Sequence, residues 1–545
     1  DITSLEIMFG GGSDGSEKVS SGEIVTLQLG GGANHLGSHL WNLVLEQQAA
    51  DGGRAGNSST QNFNVVLRET KGGHLPRTCC FDLSGTVSTS YGDIEDVSSE
   101  SALDQHDTWS SDRFQVSLPS AAEDETGASR KEEEHYRGYW DEYLNLSPHL
   151  SWRSQLVTCF PGFWHKVNAF DSFGDGIDLF SREDVRDAAF DRIRLQAEGC
   201  DYLQGFQVLA DDLSGFGHVC SEMLLHIRDE VTETKPLVVV GLRESFAQDY
   251  VVQMGRSETK QRNIDCINRA LATCKLSEVS DVHLVLDTIG TSSQDTKAAV
   301  KLYDASALGA CLVDSLILGC RLGGDRSAGT LQDVVGSLNP KGGKCSLVSC
   351  SADMRPFDAI DSLSLRSLTS MCPTSHLYRQ PHSECYIMRG IKKGRRERAL
   401  SSQAEAQEWF VSQWKAAAEE KGLHDMALCP RAFIVDPSAV PLPFNFPMAG
   451  VLDPAVSSAP TSLGASSLAS VARFSSSQAM GKDMSRLCSD FKKVCLSPGS
   501  PSVNSMLQAW DLGKEECEEI LETLETLRGS YDNEFAFYSS DEDDL

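Results

Sequence analysis

The sequence feature that most constrains the fold is a β-rich apolar run that ends in three consecutive glycines. The run EIVTLQL occupies residues 23–29, and apolar residues at helical spacing follow the glycines from about residue 34 to residue 47. A glycine turn between a strand and a helix lets backbone N–H groups approach an anion, and the helix dipole favours negative charge there. Three glycines also serve simple tight turns. The candidate phosphate contacts are therefore Gly30, Gly31 and Gly32, with the rest of the chain needed to decide between the two interpretations.

Strand-like and helix-like segments continue to alternate along the next 250 residues. Short apolar runs at residues 205–211, 236–242 and 281–289 alternate with helical patterns from residue 218 and across residues 262–276. Such alternation predicts an α/β fold with a parallel sheet. After residue 329 the elements become mixed, with the strand-like runs KCSLVSC, ECYIMRGI and AFIVD and one amphipathic helix, which predicts a smaller α+β domain.

These patterns predict six segments. They are a disordered leader (1–21), an α/β nucleotide-binding-type domain (22–329), a second α+β domain (330–452), a linker (453–482), a C-terminal helical region (483–529) and an acidic tail (530–545). The first domain is interrupted at about residues 85–135 by a Ser- and acid-rich stretch that we expect to be a disordered insertion.

Charge and cysteine content exclude several classes of protein. The formal net charge is −30 at pH 7, which argues against a nucleic-acid partner because phosphate binding requires clustered Lys and Arg. Residues 91–135 carry thirteen Asp or Glu against three Lys or Arg, so much of the excess belongs to the predicted insertion. The 17 cysteines contain no C-x-x-C pair, which favours free thiols over disulfides or zinc. No apolar run is long enough to predict a membrane span.

Several segments resemble tubulins. The strand, glycine turn and helix of EIVTLQLGGGANHLGSHLWN are similar to the tubulin N-terminal signature, and HLPRTCCFDLSGT (74–86) is similar to the tubulin segment that ends in D-L-E-P-G-T. CDYLQGFQVLADDLSGFGH (200–218) resembles the run that enters the tubulin G-G-G-T-G-S-G phosphate loop. The resemblance implies a tubulin-like fold. It also implies a nucleotide site with contributions from Asn34, Asp82, Ser214, Gly215, Gly217 and Asn268, the last standing at the position of a purine-reading asparagine.

The resemblance is sharper to the Misato branch of the tubulin/FtsZ-like superfamily. It is carried by CDYLQGFQ, by FDSFGDGIDLF (170–180) and by GYWDEYLN (138–145). Membership implies a role in mitochondrial distribution, inheritance and morphology, with the protein in the cytoplasm and at the outer surface of mitochondria. The implied partners are proteins: cytoskeletal proteins, mitochondrial-surface proteins or chaperones.

The departures from tubulin affect the chemistry. Phe216 and His218 stand where small donors would face phosphate, and Ser84 replaces the glutamate that would help to hold Mg²⁺. The segment at residues 325–331 lacks the Asn-x-Asp pair with which tubulins orient the attacking water. Ser306 stands where the resemblance leads us to expect an asparagine that contacts the base.

Three functions stay open at this point. The first, which we favour, is a non-catalytic organiser of mitochondria. It has no assigned catalytic or metal-binding residue, and GTP is a candidate cofactor for which no Mg²⁺ site is assigned. The second is a filament-forming protein that binds GTP or hydrolyses it slowly. The third is a scaffold for cytoskeletal assembly.

Overall fold

The strand β1, Glu23–Leu29, lies inside a large sheet, and all seven of its residues are buried. It pairs in parallel with β4, Thr78–Ser84, on one side and with β6, Leu203–Ala210, on the other. A strand covered on both faces needs apolar residues almost throughout rather than in alternation. This requirement explains why apolar residues of EIVTLQL face both sides of the sheet, Val25, Leu27 and Leu29 on one and Ile24 on the other.

Seven neighbouring strands of this sheet are parallel, which confirms the predicted α/β fold class. Their order is β5-β4-β1-β6-β7-β8-β9, and the sheet continues through β14 and β11 to β12. A separate hairpin pairs β2 with β3. The remaining strands are β2 Leu67–Thr70, β3 Gly73–Pro76, β5 Val157–Trp164, β7 Leu237–Leu242, β8 Val282–Leu286, β9 Leu347–Pro356, β10 Thr369–Ser370, β11 Pro381–Arg389, β12 Pro430–Asp436, β13 Val440–Pro441 and β14 Ser467–Ser477.

The helices cover both faces of the parallel strands. Their bounds are α1 Gly31–Gly52, α2 Trp152–Leu156, α3 Phe173–Phe180, α4 Glu183–Glu198, α5 Gly215–His226, α6 Glu258–Val279, α7 Leu302–Leu316, α8 Leu318–Arg321, α9 Leu331–Leu338, α10 Gln403–Lys421, α11 Gln478–Phe491, α12 Pro501–Ala509 and α13 Lys514–Asp532. Helices α1, α7 and α9 pack on one face, and α4, α5 and α6 on the other. The packing of α1 on α7 is close, because a Cβ at Gly309 would lie 2.7 Å from Leu36 Cδ1.

The C-terminal half continues the same sheet. Strand β9 pairs in parallel with β8 over two residues and in antiparallel with β14, and β14 pairs in antiparallel with β11. Helix α10 covers β11, β12 and β14. Helices α11, α12 and α13 pack against α6.

The predicted linker at residues 453–482 is wrong in its second half. Residues 467–477 form β14, which is buried between β9 and β11, and helix α11 already begins at Gln478. The segment SLASVARFSSS resembles a loop because five of its eleven residues are serine. Within the sheet, Ser475 is bonded to β9: Ser349 Oγ lies 3.1 Å from the Ser475 carbonyl oxygen and 3.1 Å from its hydroxyl.

A buried polar network ties α1 and α7 to the C-terminal strands. The Asp314 carboxylate of α7 forms ion pairs with Arg321 and with Arg389 of β11. Gln47 of α1 donates to Asp314 Oδ2 at 3.0 Å and accepts from Arg389 at 2.7 Å. Breaking such a network leaves an uncompensated buried charge, so it fixes how these elements pack.

The computed structural model describes residues 22–52, 61–87, 139–142, 144–146, 152–165, 167–243, 258–286, 302–322, 329–340, 346–356, 369–370, 381–392, 398–421, 430–443, 446–447, 467–497 and 501–532. The predicted leader, nearly all of the predicted acidic insertion and the acidic tail after residue 532 lie outside these ranges. Within them, no helix combines the length and the apolar character needed to cross a bilayer.

Candidate functional site

The first glycine turn connects β1 to α1 at the carboxyl end of the parallel strands, where α/β folds bind ligands. Gly30 has a φ of +102°, which only glycine adopts readily, and its N–H donates to the carbonyl oxygen of Phe81 at 3.0 Å. The N–H groups of Gly32 and Ala33 donate to the two carboxylate oxygens of Asp211, each at 2.9 Å. A side chain of the protein thus occupies the position at which this turn would hold an anion.

Asp211 directly follows β6 and was not among the predicted site residues. Its carboxyl group approaches Gly30 so closely that a Cβ at Gly30 would lie 2.4 Å from Asp211 Oδ2. Burial raises the pKa of Asp211 to about 8, with a further rise from Asp82, while the N–H groups of Gly32 and Ala33 act in the opposite direction.

Asp82, the carboxylate expected near the metal and phosphates, is fully buried at the end of β4 and hydrogen-bonded within the chain. It accepts from Asn34 Nδ2 at 2.8 Å, from the Leu83 N–H at 2.8 Å and from the Trp140 indole N–H at 3.1 Å. Burial raises the pKa of Asp82 to about 6, and these three donors limit the rise. The structure therefore brings the predicted residues Asn34 and Asp82 together.

The second glycine loop connects β6 to α5. Ser214 is the N-cap of α5, and its hydroxyl accepts from the Phe216 N–H at 3.2 Å and donates to the carbonyl oxygen of Asp211 at 2.7 Å. The N–H of Gly215 donates to the carbonyl oxygen of Phe170 at 3.1 Å, and that of Gly217 to the carbonyl oxygen of Ser214 at 3.0 Å. The loop N–H groups that would face a phosphate are directed to acceptors within the chain.

Aromatic rings fill the space around this loop. A Cβ at Gly215 would lie 2.6 Å from the ring of Phe170, which in turn packs edge-on against Phe216 with centroids 4.9 Å apart. His218 packs edge-on against Phe173 at 5.2 Å, and burial lowers the pKa of His218 to about 4. The neutral imidazole and the three rings form an apolar wall, which disfavours a charged phosphate group.

Asn268, expected to contact a purine, is fully buried in α6 and bonded on both ends of its amide. Its oxygen accepts from the Phe173 N–H at 2.9 Å, and its nitrogen donates to the carbonyl oxygens of Asp171 and Leu213 at 2.8 and 2.7 Å. It thus fastens the start of α3 and the second glycine loop to α6. Contact with a base would require it to give up these bonds.

The two serines at departures from tubulin are also used within the chain. Ser84 Oγ donates to the carbonyl oxygen of Phe160 at 3.1 Å, and the buried Ser306 Oγ donates to that of Leu302 at 2.6 Å. Gly31 is half-buried, and a Cβ there would meet no described atom within 4 Å. No group of three or more His, Cys, Asp or Glu able to hold a metal ion occurs in the described part of the chain.

The structure gathers the predicted glycines, Asn34, Asp82 and Ser214 around the ends of β1, β4 and β6. Sequence reasoning missed Asp211, Phe170, Phe173 and Trp140, which close the site. For Asp211 a signal existed, because the paired aspartates of LADD end an otherwise apolar strand. For the three aromatic residues, only the fold shows that Phe170 and Phe173 contact the second glycine loop and that Trp140 reaches Asp82.

A parallel sheet with glycine turns after β1 and β6, continued by a mixed sheet and C-terminal helices, defines a tubulin-like protein. In agreement, a model described as "Tubulin domain" matches residues 139–322. A second model, "Misato Segment II tubulin-like domain", matches residues 22–132. The chain thus carries a Misato-type and a tubulin-like domain.

Relatives with the corresponding names support this assignment. The chain is 26% identical to "Protein misato" of Drosophila melanogaster over 361 residues, which are 55% of this chain and 60% of that protein. It is 24% identical to "Protein dml-1" of Neurospora crassa over 340 residues, 59% of this chain and 60% of that protein. It is 28% identical to "Protein misato homolog 1" of Danio rerio over 257 residues, 38% and 43% of the two chains. The aligned regions thus span less than two thirds of these relatives.

Proposed function

We propose that this chain is a non-catalytic, tubulin-like protein that acts in mitochondrial distribution, inheritance and morphology through protein partners. The observation that carries the non-catalytic part is the hydrogen bonding of the second glycine loop. Ser214, Gly215, Phe216 and Gly217 all donate their N–H groups to acceptors in the chain, at 3.2, 3.1, 3.2 and 3.0 Å. A phosphate-binding loop needs such groups directed at the ligand.

The carboxylate available for Mg²⁺ is likewise bonded within the chain. Asp82 is satisfied by three donors, and the residue two positions later is Ser84 rather than a second carboxylate. Mg²⁺ requires octahedral oxygen coordination, usually by one or two carboxylates together with substrate phosphates. Phosphoryl transfer depends on positioning and charge stabilisation by such groups. We therefore infer that this chain does not hydrolyse GTP at tubulin-like rates.

The organelle and the partners are proposed from the similarity to proteins of the Misato family. We place the protein in the cytoplasm and at the outer surface of mitochondria, where cytoskeletal or mitochondrial-surface proteins and chaperones are the expected partners. The tubulin-like fold then provides a rigid surface for these contacts rather than a nucleotide-driven motor or polymer. Its state does not depend on hydrolysis.

A variant can separate nucleotide chemistry from the role at mitochondria. Gly31→Glu adds a carboxylate at the first position of α1, where no described atom lies within 4 Å of the new Cβ and where the helix dipole favours negative charge. The added charge would repel a nucleotide phosphate. We expect Gly31→Glu to restore mitochondrial distribution in depleted cells as fully as the wild type, by imaging of the tagged chain.

The matched control is Gly31→Gln, which has the same length without the charge. GTP turnover and GTP-dependent light scattering are measured on the purified wild type in parallel. Turnover or assembly at tubulin-like rates would refute the proposal. So would a folded Gly31→Glu chain that fails in cells where Gly31→Gln succeeds, because the role would then need the phosphate position.

A further inference from the structure

The position of Asp211 differs from that of an ordinary helix cap. In a standard N-cap the side chain belongs to the residue just before the helix and accepts from N–H groups two or three residues later. Here the residue before α1 is Gly30, which has no side chain, and the acceptor lies 179 positions away from Gly32 in the sequence. The acidic group is delivered to the first glycine turn by the neighbouring strand β6.

The geometry is that of a bound anion. Two successive N–H groups, those of Gly32 and Ala33, each meet one carboxylate oxygen at 2.9 Å, as they would meet two oxygens of a phosphate. Gly30 allows this approach because it combines a φ of +102° with the absence of a side chain, whose Cβ would overlap Asp211 Oδ2. Below we call the N–H groups of Gly32 and Ala33 the α1 anion site.

A second polar group in the first turn of α1, the amide of Asn34, has an oxygen that accepts no bond from the described residues. This oxygen is buried, although the amide nitrogen donates to Asp82. Beside the Asp211 contact, the first turn of α1 thus contains a buried oxygen that no described donor satisfies.

We propose that the Asp211 carboxyl group is a covalently attached replacement for phosphate, which permanently occupies the α1 anion site. This inference rests on the proposed function, since it concerns the site at which a tubulin-like protein would hold its nucleotide. The first glycine turn then keeps its anion-bound conformation without any ligand, and the fold is not switched by nucleotide binding or release. Removing the carboxylate uncovers a site for a small tetrahedral anion.

The test is chemical rescue of Asp211→Ser by inorganic phosphate. The variant has a vacant α1 anion site, so we expect a lower Tm than the wild type in chloride buffer and a saturable rise in Tm as phosphate replaces chloride at constant ionic strength. We also expect the amides of residues 31–35 to exchange roughly tenfold faster in chloride, the loss of about one hydrogen bond, and to be protected again by phosphate. In the wild type, phosphate should leave this exchange unchanged.

Phosphate stabilises many proteins non-specifically, so a matched control is needed. Asp353→Ser removes another buried carboxylate, the one paired with Arg355 at 2.7 Å in β9, and defines the non-specific rise in Tm. An Asp211→Ser chain that is as stable as the wild type would overturn the inference. So would a Tm gain in phosphate no larger than that of Asp353→Ser.

A second variant decides the case in which Asp211→Ser does not fold in either buffer. Above pH 8, where Asp211 is ionised, Asp211→Asn keeps the size of the side chain but turns a donor toward one of the two N–H groups. The amides of residues 31–35 should then exchange faster than in the wild type, and phosphate should not protect them. Unchanged exchange in Asp211→Asn would overturn the inference. GTP turnover by the wild type would instead refute the proposed function, and therefore the two failures are distinguishable.

Discussion

The contact between Asp211 and the first glycine turn predicts opposite effects for two adjacent glycines. Gly30→Ala places a Cβ 2.4 Å from Asp211 Oδ2 at a residue whose φ is +102°. Gly31→Ala places a Cβ where no described atom lies within 4 Å, at the first residue of α1. The two changes are chemically identical and differ only in what surrounds them.

The expected magnitudes follow from the geometry. A left-handed φ costs an alanine about 1–2 kcal/mol, and the overlap with Asp211 adds about 1–3 kcal/mol because the neighbouring strand must shift. The lower entropy of the unfolded chain returns about 0.4–1 kcal/mol. Gly30→Ala should therefore lower the free energy of unfolding by about 1–5 kcal/mol, the sum of these contributions. Gly31→Ala should raise it by up to about 1 kcal/mol.

Urea denaturation followed by tryptophan fluorescence measures both variants, and a double-mutant cycle isolates the contact. In an Asp211→Ser background the overlap is relieved, so the backbone cost, less the gain from the lower entropy of the unfolded chain, should leave Gly30→Ala with a loss of under about 2 kcal/mol. The reasoning is refuted if Gly30→Ala is as stable as the wild type. It is also refuted if Gly30→Ala loses the same free energy with and without Asp211.

Three further predictions follow from the buried charges. Trp140→Phe removes the indole N–H that donates to Asp82 at 3.1 Å and should lower the free energy of unfolding by about 1–3 kcal/mol. Because the pKa of Asp82 is about 6 and its ionised form needs the donor more than the neutral form does, the loss should be larger at pH 7.5 than at pH 5. The folded chain holds a proton on Asp211 up to a pKa of about 8 that the unfolded chain releases near the ordinary value of 3.8, so between about pH 5 and 7 this group should lower the free energy of unfolding by about 1.4 kcal/mol per pH unit. Asp211→Asn should flatten that slope in urea titrations, and an equal slope in both chains would exclude the assignment. Asp314→Asn removes the carboxylate that pairs with Arg321 and Arg389 and should lower the free energy of unfolding by about 3–5 kcal/mol. The control Arg182→Ala breaks the exposed pair with Asp184 and should lower it by under about 1 kcal/mol. Similar losses in the two variants would contradict the proposed role of the buried network.

The parts of the fold that local patterns determine could be predicted from the sequence. β1, α1 and β6 have apolar residues at the spacing of their own secondary structure, and their observed bounds lie close to the predicted ones. β14 was missed because its small polar residues lack any such periodicity. Its burial comes from β9 and β11, which are distant in the sequence.

The state of the candidate site depends on contacts that no local pattern contains. The glycines and Asp82 could be located by resemblance, since each stands in a recognisable segment. Whether their N–H groups and carboxylates face a ligand depends on Asp211, Phe170 and Trp140, which reach the site from other elements. A substitution such as Phe216 indicates a change in the loop but not which ring fills the space.

Equilibrium binding of labelled GTP to the purified wild-type chain, with and without Mg²⁺, tests the central claim most directly. The measurement reports occupancy of the site without requiring hydrolysis or assembly. Because Asp211 and the aromatic residues occupy the phosphate positions, we predict no saturable binding at millimolar nucleotide. Saturable binding of one GTP per chain, displaced by GDP, would contradict the account.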